Sequence, residues 1–209
     1  MAQTKGVDIS KWNGPFTRNK FKKLKQQGYS FVIIKMGGDN DGYYTDSQFE
    51  SNYRLAKEAG LNVGAYYYLS GEFEPGRVVA HLLPHLLGKT FDMPIFLDIE
   101  ESPLKAKEST TSNAIKILDA LESLDFFVGI YASDVSGFAN MLNLEKLAAY
   151  TLWTASWGNK KPSIVKTWAI WQNDVVMKGI PGFISGAIDV NICKRDFPTI
   201  IKGAHKNGY

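Results

Sequence analysis

Residues 93–100 read MPIFLDIE, an apolar run that ends in two acids. The run predicts a buried strand, and because side chains alternate faces along a strand, Asp98 and Glu100 point the same way with Cα atoms ~6–7 Å apart. Like charges held that close in a partly dry cleft resist ionising together, which raises one pKa and leaves a proton donor beside a carboxylate. The arrangement is typical of a glycosidase, although an isolated Asp-x-Glu more often serves only as a solvated strand end or a helix cap.

Short apolar runs alternate with amphipathic segments on both sides of this strand, which itself covers residues 94–97. Further strands are predicted at residues 7–9, 31–35, 62–68 and 127–131. The helices predicted between them cover residues 18–27, 46–59, 75–87 and 109–123. Asp46 provides an N-cap for the second helix, and Gly28 and Gly60 end the first two. Strands that alternate with helices pair in parallel, so the pattern predicts an α/β fold with a parallel sheet.

The alternation of strands and helices changes in the last third of the chain, beyond a helix predicted to end near Ala149. Strands are predicted at residues 151–155, 168–172 and 187–190, without room for full helices between them. The connections carry Gly158, Pro162, Gly179, Pro181, Gly182 and Gly186. Eight strands allow closure, so we expect an irregular (β/α) barrel with helices missing between the last strands and its site at the carboxyl ends of the strands.

The length and composition indicate one domain. The chain has 209 residues, of which 44% are hydrophobic, enough for one sizeable core and short for two. We expect a catalytic barrel over residues 1–203, with residues 204–209 as a tail or the start of a linker. Aromatic residues make up 13% of the chain, more than such a core needs, so some are expected to line a surface that binds the flat C–H faces of sugars.

Several classes of protein are excluded by composition. The net charge of +3 is too small to argue for a nucleic-acid partner. Cys193 is the single cysteine, so no internal disulfide forms. No stretch approaches the ~18 apolar residues of a membrane span. Residues 1–5 lack the apolar segment of a signal peptide, so we expect a protein that stays in the cytosol or leaves it by another route.

Two histidines on the third predicted helix have a spacing that is found in metal sites. His81 and His85 are four residues apart, a spacing that places both on one helix face. Leucines surround them, no Glu follows His81, and Pro84 lies between them. We therefore expect no metal and no cofactor.

Polar and aromatic side chains fall near the carboxyl ends of the predicted strands. In a closed barrel these ends meet at one face, and strands one and eight become neighbours, so Asp8 and Asp189 would meet from opposite ends of the sequence. Alternation along the third strand directs Tyr66 and Tyr68 to the groove and Tyr67 to the core or the helix-facing side. The predicted site comprises the acids Asp8, Asp98, Glu100 and Asp189 together with Lys35, Tyr66, Tyr68, Tyr131, Trp153 and Gln172.

Short motifs follow in order along nearly the whole chain. They lie at residues 6–14 (GVDISKWNG), 31–35 (FVIIK), 45–49, 56–60, 63–68 (VGAYYY), 97–100 (LDIE), 129–133 (GIYAS), 152–153, 171–172 and 189–191 (DVN). Together they resemble the motifs of glycoside hydrolase family 25, the N-acetylmuramidase lysozymes of bacteria and their phages. Asn13 stands where the family often has Gln, and residues 36–39 (MGGD) also depart from the usual pattern. Neither departure touches the four acids.

The resemblance implies a fold and a reaction. Family members have an irregular barrel and hydrolyse the β-1,4 bond from N-acetylmuramic acid to N-acetylglucosamine in peptidoglycan. Carried onto this sequence, Glu100 is the general acid, Asp98 its partner, and Asp8 and Asp189 complete the acidic floor. The lack of a signal peptide points to a phage endolysin, made in the host cytoplasm and acting on the cell wall, with a bacterial autolysin exported by an unconventional route as the alternative. We expect a monomer. Many relatives carry a C-terminal wall-binding module, and none is recognisable here.

The role of Asp98 is left open by the sequence. A separation near ~6–7 Å exceeds the ~5–5.5 Å of a nucleophile and acid pair. It favours either inversion through a water or attack by the sugar's own 2-acetamido oxygen, and the second is preferred because muramyl substrates carry that group. Substrate-assisted chitinases need acids where this chain has Met93 and Phe96, which disfavours that family. A wall-binding module that has lost catalysis is the alternative function.

Overall fold

The computed structural model describes residues 3–40, 42–70, 72–101, 106–176 and 187–209. Its strands are β1 (Thr4–Ile9), β2 (Tyr29–Gly38), β3 (Tyr44–Thr45), β4 (Asn62–Leu69), β5 (Ile95–Ile99), β6 (Val128–Ser133), β7 (Thr151–Ala155), β8 (Ile170–Val176) and β9 (Ile188–Cys193). Its α-helices are α1 (Arg18–Gln26), α2 (Phe49–Glu58), α3 (Pro75–Leu86), α4 (Lys107–Glu122) and α5 (Phe197–Gly203). A 3₁₀ turn (Lys11–Asn13) follows β1, and a π-helical turn (Asp134–Ala139) follows β6.

The strands close into an eight-strand barrel, as predicted. The order is β1-β9-β8-β7-β6-β5-β4-β2, and β1 pairs with β2 to complete the ring. The two-residue β3 adds to the upper end of β2 outside the ring. The prediction of a wholly parallel sheet was wrong, because β9 runs antiparallel to both β8 and β1. The predicted glycines and prolines of its connection, within residues 177–186, lie outside the described residues.

Two helix predictions need correction. Residue Asp46 does not cap α2, which begins at Phe49; its carboxylate accepts the backbone N–H of Gln48 and of Lys11, both at 2.9 Å, and so joins this loop to the turn after β1. The helix predicted to end near Ala149 is replaced by the π-helical turn and further turns. Gly137, Asn140 and Asn143 interrupt that segment with weak helix formers. The other three predicted helices are confirmed within two residues at each end.

Side chains alternate between the barrel interior and the layer beneath the helices. Phe96 belongs to the interior, and its neighbour Leu97 to the outer layer. Tyr66 packs inside against Trp153, whereas Tyr67 is fully buried outside, where its hydroxyl donates to the Gly38 carbonyl at 2.9 Å. Large aromatic rings therefore fill the barrel below its carboxyl end and form the floor on which the polar residues stand.

The C-terminal segment, residues 204–209, packs against the opposite end of the barrel. The Asn207 side chain is fully buried, donates to the carbonyls of Phe91 and Met93 at 3.3 and 3.1 Å, and accepts the Phe127 N–H at 2.7 Å. These contacts tie the segment to the start of β5 and β6, so it forms part of the folded barrel. Among the described helices, none combines the length and apolar character needed to cross a membrane.

Candidate active site

A cavity of about 300 Å³ opens at the carboxyl end of the barrel strands. Every residue predicted for the site lines it, and the lining also includes Ser10, Trp12, Trp157 and Val175. A larger cavity of about 530 Å³ lies at the other end of the barrel, where Glu122 is the one carboxylate among the described lining residues. Paired acids, which hydrolysis of a glycosidic bond requires, thus occur in the smaller cavity.

Asp98 and Glu100 share one side of this cavity. Asp98 is buried on β5, and its Oδ1 has no hydrogen-bond partner among the described residues. Burial and the charge of Glu100 hold the pKa of Asp98 well above its usual range, and the Lys35 ammonium opposes the rise. Glu100 directly follows β5, and burial raises its pKa against the opposing effects of the Tyr131 hydroxyl and Lys35. The pair therefore places two carboxyls with raised pKa values on one side of the cavity, where a proton is retained beside a carboxylate.

Asp8 and Asp189 face each other across β1 and β9, where they are register partners. Burial and the charge of Asp189 raise the pKa of Asp8 well above its usual value. Burial, with the charge of Glu100, raises the pKa of Asp189 to about 6. Because each acid raises the pKa of its neighbours, the cavity retains protons at pH values where isolated carboxyls have lost them.

The carboxylate of Asp8 is held by two side-chain amides. Its Oδ2 accepts Gln172 Nε2 at 3.0 Å and Asn191 Nδ2 at 2.8 Å. The Oδ1 of Asn191 in turn accepts the Trp153 indole N–H at 2.8 Å, inside the barrel. Asn191 was missing from the predicted site, although it lies two residues after Asp189 and so shares its face of β9. These bonds fix the orientation of Asp8 without removing its charge.

The carbonyl oxygen of the Gln172 amide accepts two further hydrogen bonds. Its Oε1 accepts the Tyr131 hydroxyl and the Trp157 indole N–H, each at 2.9 Å. One buried glutamine thus joins a wall residue, a residue at the cavity mouth and Asp8. Satisfying every polar atom of a buried amide in this way fixes its orientation, because each lost bond leaves an unpaired group.

Aromatic rings form the walls and the mouth of the cavity. The Lys35 ammonium lies 4.4 Å from the centre of the Tyr68 ring and 5.8 Å from that of Tyr66. Trp12 and Trp157 at the mouth are 82% and 59% exposed, and the sequence prediction missed both. The available signal was their position just after the ends of β1 and β7. Exposed indole faces beside a polar cleft suit the apolar faces of sugar rings.

The two histidines of α3 lie away from the cavity and have other partners. His81 Nδ1 shares a hydrogen bond with the Tyr67 hydroxyl at 2.9 Å, and His85 Nε2 with Thr45 Oγ1 at 3.1 Å. Burial lowers the pKa of both rings. They fasten α3 to the outer layer of the barrel.

Comparison with known proteins places the chain in a family. Residues 7–180 match the sequence model of the glycosyl hydrolases family 25. The chain belongs to this family. The family 25 chain is 29% identical to the autolytic lysozyme of Clostridium acetobutylicum over 90% of its own length, and 29% identical to lysozyme M1 of Streptomyces globisporus over 89%. It spans 55% and 66% of those two relatives, respectively.

The fold of the family 25 chain also matches solved structures. The crystal structure of the CTP1L endolysin superposes with a TM-score of 0.81 at 28% identity, covering 96% of this chain and 70% of the other. That agreement shows that the chain shares its α/β barrel fold with a solved relative.

Proposed function

We propose that this chain is a peptidoglycan hydrolase that cleaves the β-1,4 bond from N-acetylmuramic acid to N-acetylglucosamine. The observation that carries the proposal is the pairing of Glu100 with the unpartnered Oδ1 of Asp98 in a cavity walled by aromatic rings. Membership of family 25 and the lysozymes among the relatives support it. All of these groups come from one chain, which supports action as a monomer.

Glu100 is the general acid in this proposal. It is the more exposed member of the pair, so the leaving oxygen of a bound glycan reaches it from the cavity mouth. Burial already raises its pKa in the free protein, and a bound sugar that displaces water raises it further. The proton passes from Glu100 to the leaving oxygen as the bond from the anomeric carbon breaks.

Asp98 orients the neighbouring acetamido group of the substrate. Its carboxylate lines the cavity and accepts the acetamido N–H, which turns the carbonyl oxygen of that group towards the anomeric carbon. That oxygen forms the new bond as the glycosidic bond breaks, and the Asp98 carboxylate stabilises the positive ring that results. Water then attacks the anomeric carbon, gives its proton to Glu100 and restores the acetamido group. The product keeps its β configuration.

The test combines product analysis with a matched pair of variants. Purified walls are digested, and the new reducing ends are reduced with borohydride and identified by mass spectrometry. We expect N-acetylmuramic acid at these ends. In NMR spectra recorded during digestion, before any reduction, the β anomer should appear first. Glucosamine ends or released peptides would overturn the proposed bond, and an α anomer would replace the acetamido route by inversion through water.

Glu100→Gln should retain the fold and wall binding but lose roughly 10²–10⁴-fold in activity, since an amide supplies no proton. Glu145→Gln is the control, because this exposed carboxylate loses the same charge and does not line the cavity. Its activity should stay close to that of the parent. More than a tenth of the parent's activity in Glu100→Gln would show that the acid is misassigned. Wall binding without any loss of turbidity in the parent would identify a silent binding module.

We further propose that the protein acts as an endolysin, made in a host cell and delivered to the wall when the membrane is breached. The likeness to the CTP1L endolysin supports this role. Cells that express the chain should lyse only after the membrane is permeabilised. Lysis during expression alone would argue for export by the cell and for an autolysin.

A further inference from the structure

A row of alternating aromatic rings and ammonium groups leads outwards from the active-site cavity. The Lys35 ammonium lies 4.4 Å from the Tyr68 ring centre and 5.8 Å from that of Tyr44. The Lys11 ammonium lies 5.5 Å from the centre of the same Tyr44 ring and 5.0 Å from that of Trp12. Both ammonium groups thus lie near one tyrosine, and that of Lys11 lies beside the exposed indole at the cavity mouth.

The two lysines of this row have different electrostatic surroundings. Lys35 lines the cavity with Asp98 and Glu100, so its charge is already balanced by carboxylates. Lys11 is exposed, and within the described part of the chain no carboxylate forms an ion pair with its ammonium. Its backbone is nevertheless fixed, because its N–H donates to buried Asp46 at 2.9 Å. Lys11 therefore presents an exposed ammonium at the cavity mouth that no carboxylate of the described residues neutralises.

We propose that Lys11, with Tyr44 and Trp12, binds a carboxylate on the substituent that a muramyl sugar carries. The inference rests on the proposed function. A sugar ring stacked on Trp12 projects its substituents from the ring edge, and the adjacent ammonium is placed to bind an anionic one. The four acids of the cavity repel such a group, so it is bound outside the cavity, on the side where this row lies.

The carboxylate has two chemical sources: the lactyl group of a muramic acid that carries no peptide, and the free carboxyls of a peptide that is attached through an amide of that group. Two pairs of soluble ligands separate them: peptide-bearing wall fragments and glycan strands stripped of peptide, each untreated and with its carboxyls converted to methylamides. Binding is titrated on the Glu100→Gln background, which serves as the parent here, so the result does not depend on turnover. In the pair that carries the recognised carboxylate, the parent should bind the untreated ligand about two- to fivefold more tightly than its methylamide at low salt, the range of an exposed ion pair. In 1 M salt the difference should vanish.

Lys11→Gln should remove this preference and leave affinity for the methylamides unchanged. Lys22→Gln, an exposed lysine on α1 that loses the same charge, should keep it. If the stripped strands bind more tightly than their methylamides, the carboxylate belongs to the lactyl group. If only the peptide-bearing fragments show this preference, the carboxylate belongs to the peptide. An equal preference in Lys11→Gln and the parent, or an equal loss in Lys22→Gln, would overturn the inference. Failure of the proposed glycosidase activity would appear separately, because the protein with Glu100 intact would then produce no new reducing ends.

Discussion

Gln172 joins three parts of the active site, and replacing it by Met removes its polar contacts at nearly constant volume. The buried amide donates to Asp8 at 3.0 Å and accepts from Tyr131 and Trp157 at 2.9 Å each. Methionine fills the space, so the cavity contribution to the free energy of unfolding is small. The expected decrease in the free energy of unfolding therefore comes from the lost hydrogen bonds and from the polar groups that are left unpaired.

The expected magnitude follows from how deeply each bond is buried. The bonds to Asp8 and Tyr131 are buried, and each loss costs roughly 1–3 kcal/mol, whereas water can replace the bond to the exposed Trp157. The free energy of unfolding should therefore fall by roughly 2–6 kcal/mol. For a chain of this size, that corresponds to a Tm lower by roughly 4–24 °C. The freed Trp157 should also raise KM more than it lowers kcat.

Thermal unfolding followed by circular dichroism measures the first effect. Gln26→Met, at an exposed position of α1, is the matched control and should melt with the parent. Gln172→Glu keeps the acceptor for Tyr131 but places an oxygen against Asp8, so its destabilisation should grow as the pH rises and the two acids ionise. A Gln172→Met protein that melts within about 2 °C of the parent would refute the central role of this amide.

Two further predictions concern carboxylates with shifted pKa values. Asp189→Asn removes a like charge near Glu100, so Glu100 should ionise more readily and the alkaline limb of the activity–pH profile should move to lower pH; an unmoved limb would contradict the coupling. In Asp134, burial is outweighed by hydrogen bonds from the backbone N–H groups of residues 163–165, which lower the pKa of the carboxyl. This stabilisation exists above its unfolded pKa of about 3.9 and is lost as the pH falls through the lower folded value. Asp134→Asn should thus lower the urea midpoint at pH 7, and the gap to the parent should narrow in acid.

Much of the fold could be predicted because simple periodicities determine it. The strand β5 is apolar until Asp98, and the alternation along β4 correctly assigned Tyr67 to the outer layer. Polar side chains after apolar runs then predicted which residues gather at the carboxyl end, and the structure brings all of them to one cavity. Their catalytic and binding roles stay predictions until the variants are made.

Other features carried weaker signals in the sequence. Trp12 and Trp157 belong to turns, whose side-chain directions follow from tertiary contacts such as the bond from Trp157 to Gln172. Asn191 could have been found by applying alternation beyond Asp189. The absence of the predicted helix after β6 was harder to foresee. Weak helix formers occur in many helices, and packing decides whether such a segment becomes helical.

The direction of β9 was not readable from its own residues, since an alternating pattern is the same in both directions. The signal lay in its connection, because parallel strands need a crossover of a dozen or more residues, usually with a helix, and this link is too short. The reversal has a chemical consequence. Asp189 is the second residue of β9, so in a parallel strand it would lie at the far end of the barrel; running antiparallel, it meets Asp8 near the end of β1. The short connection therefore accounts both for the antiparallel direction of β9 and for the presence of the fourth acid in the cavity.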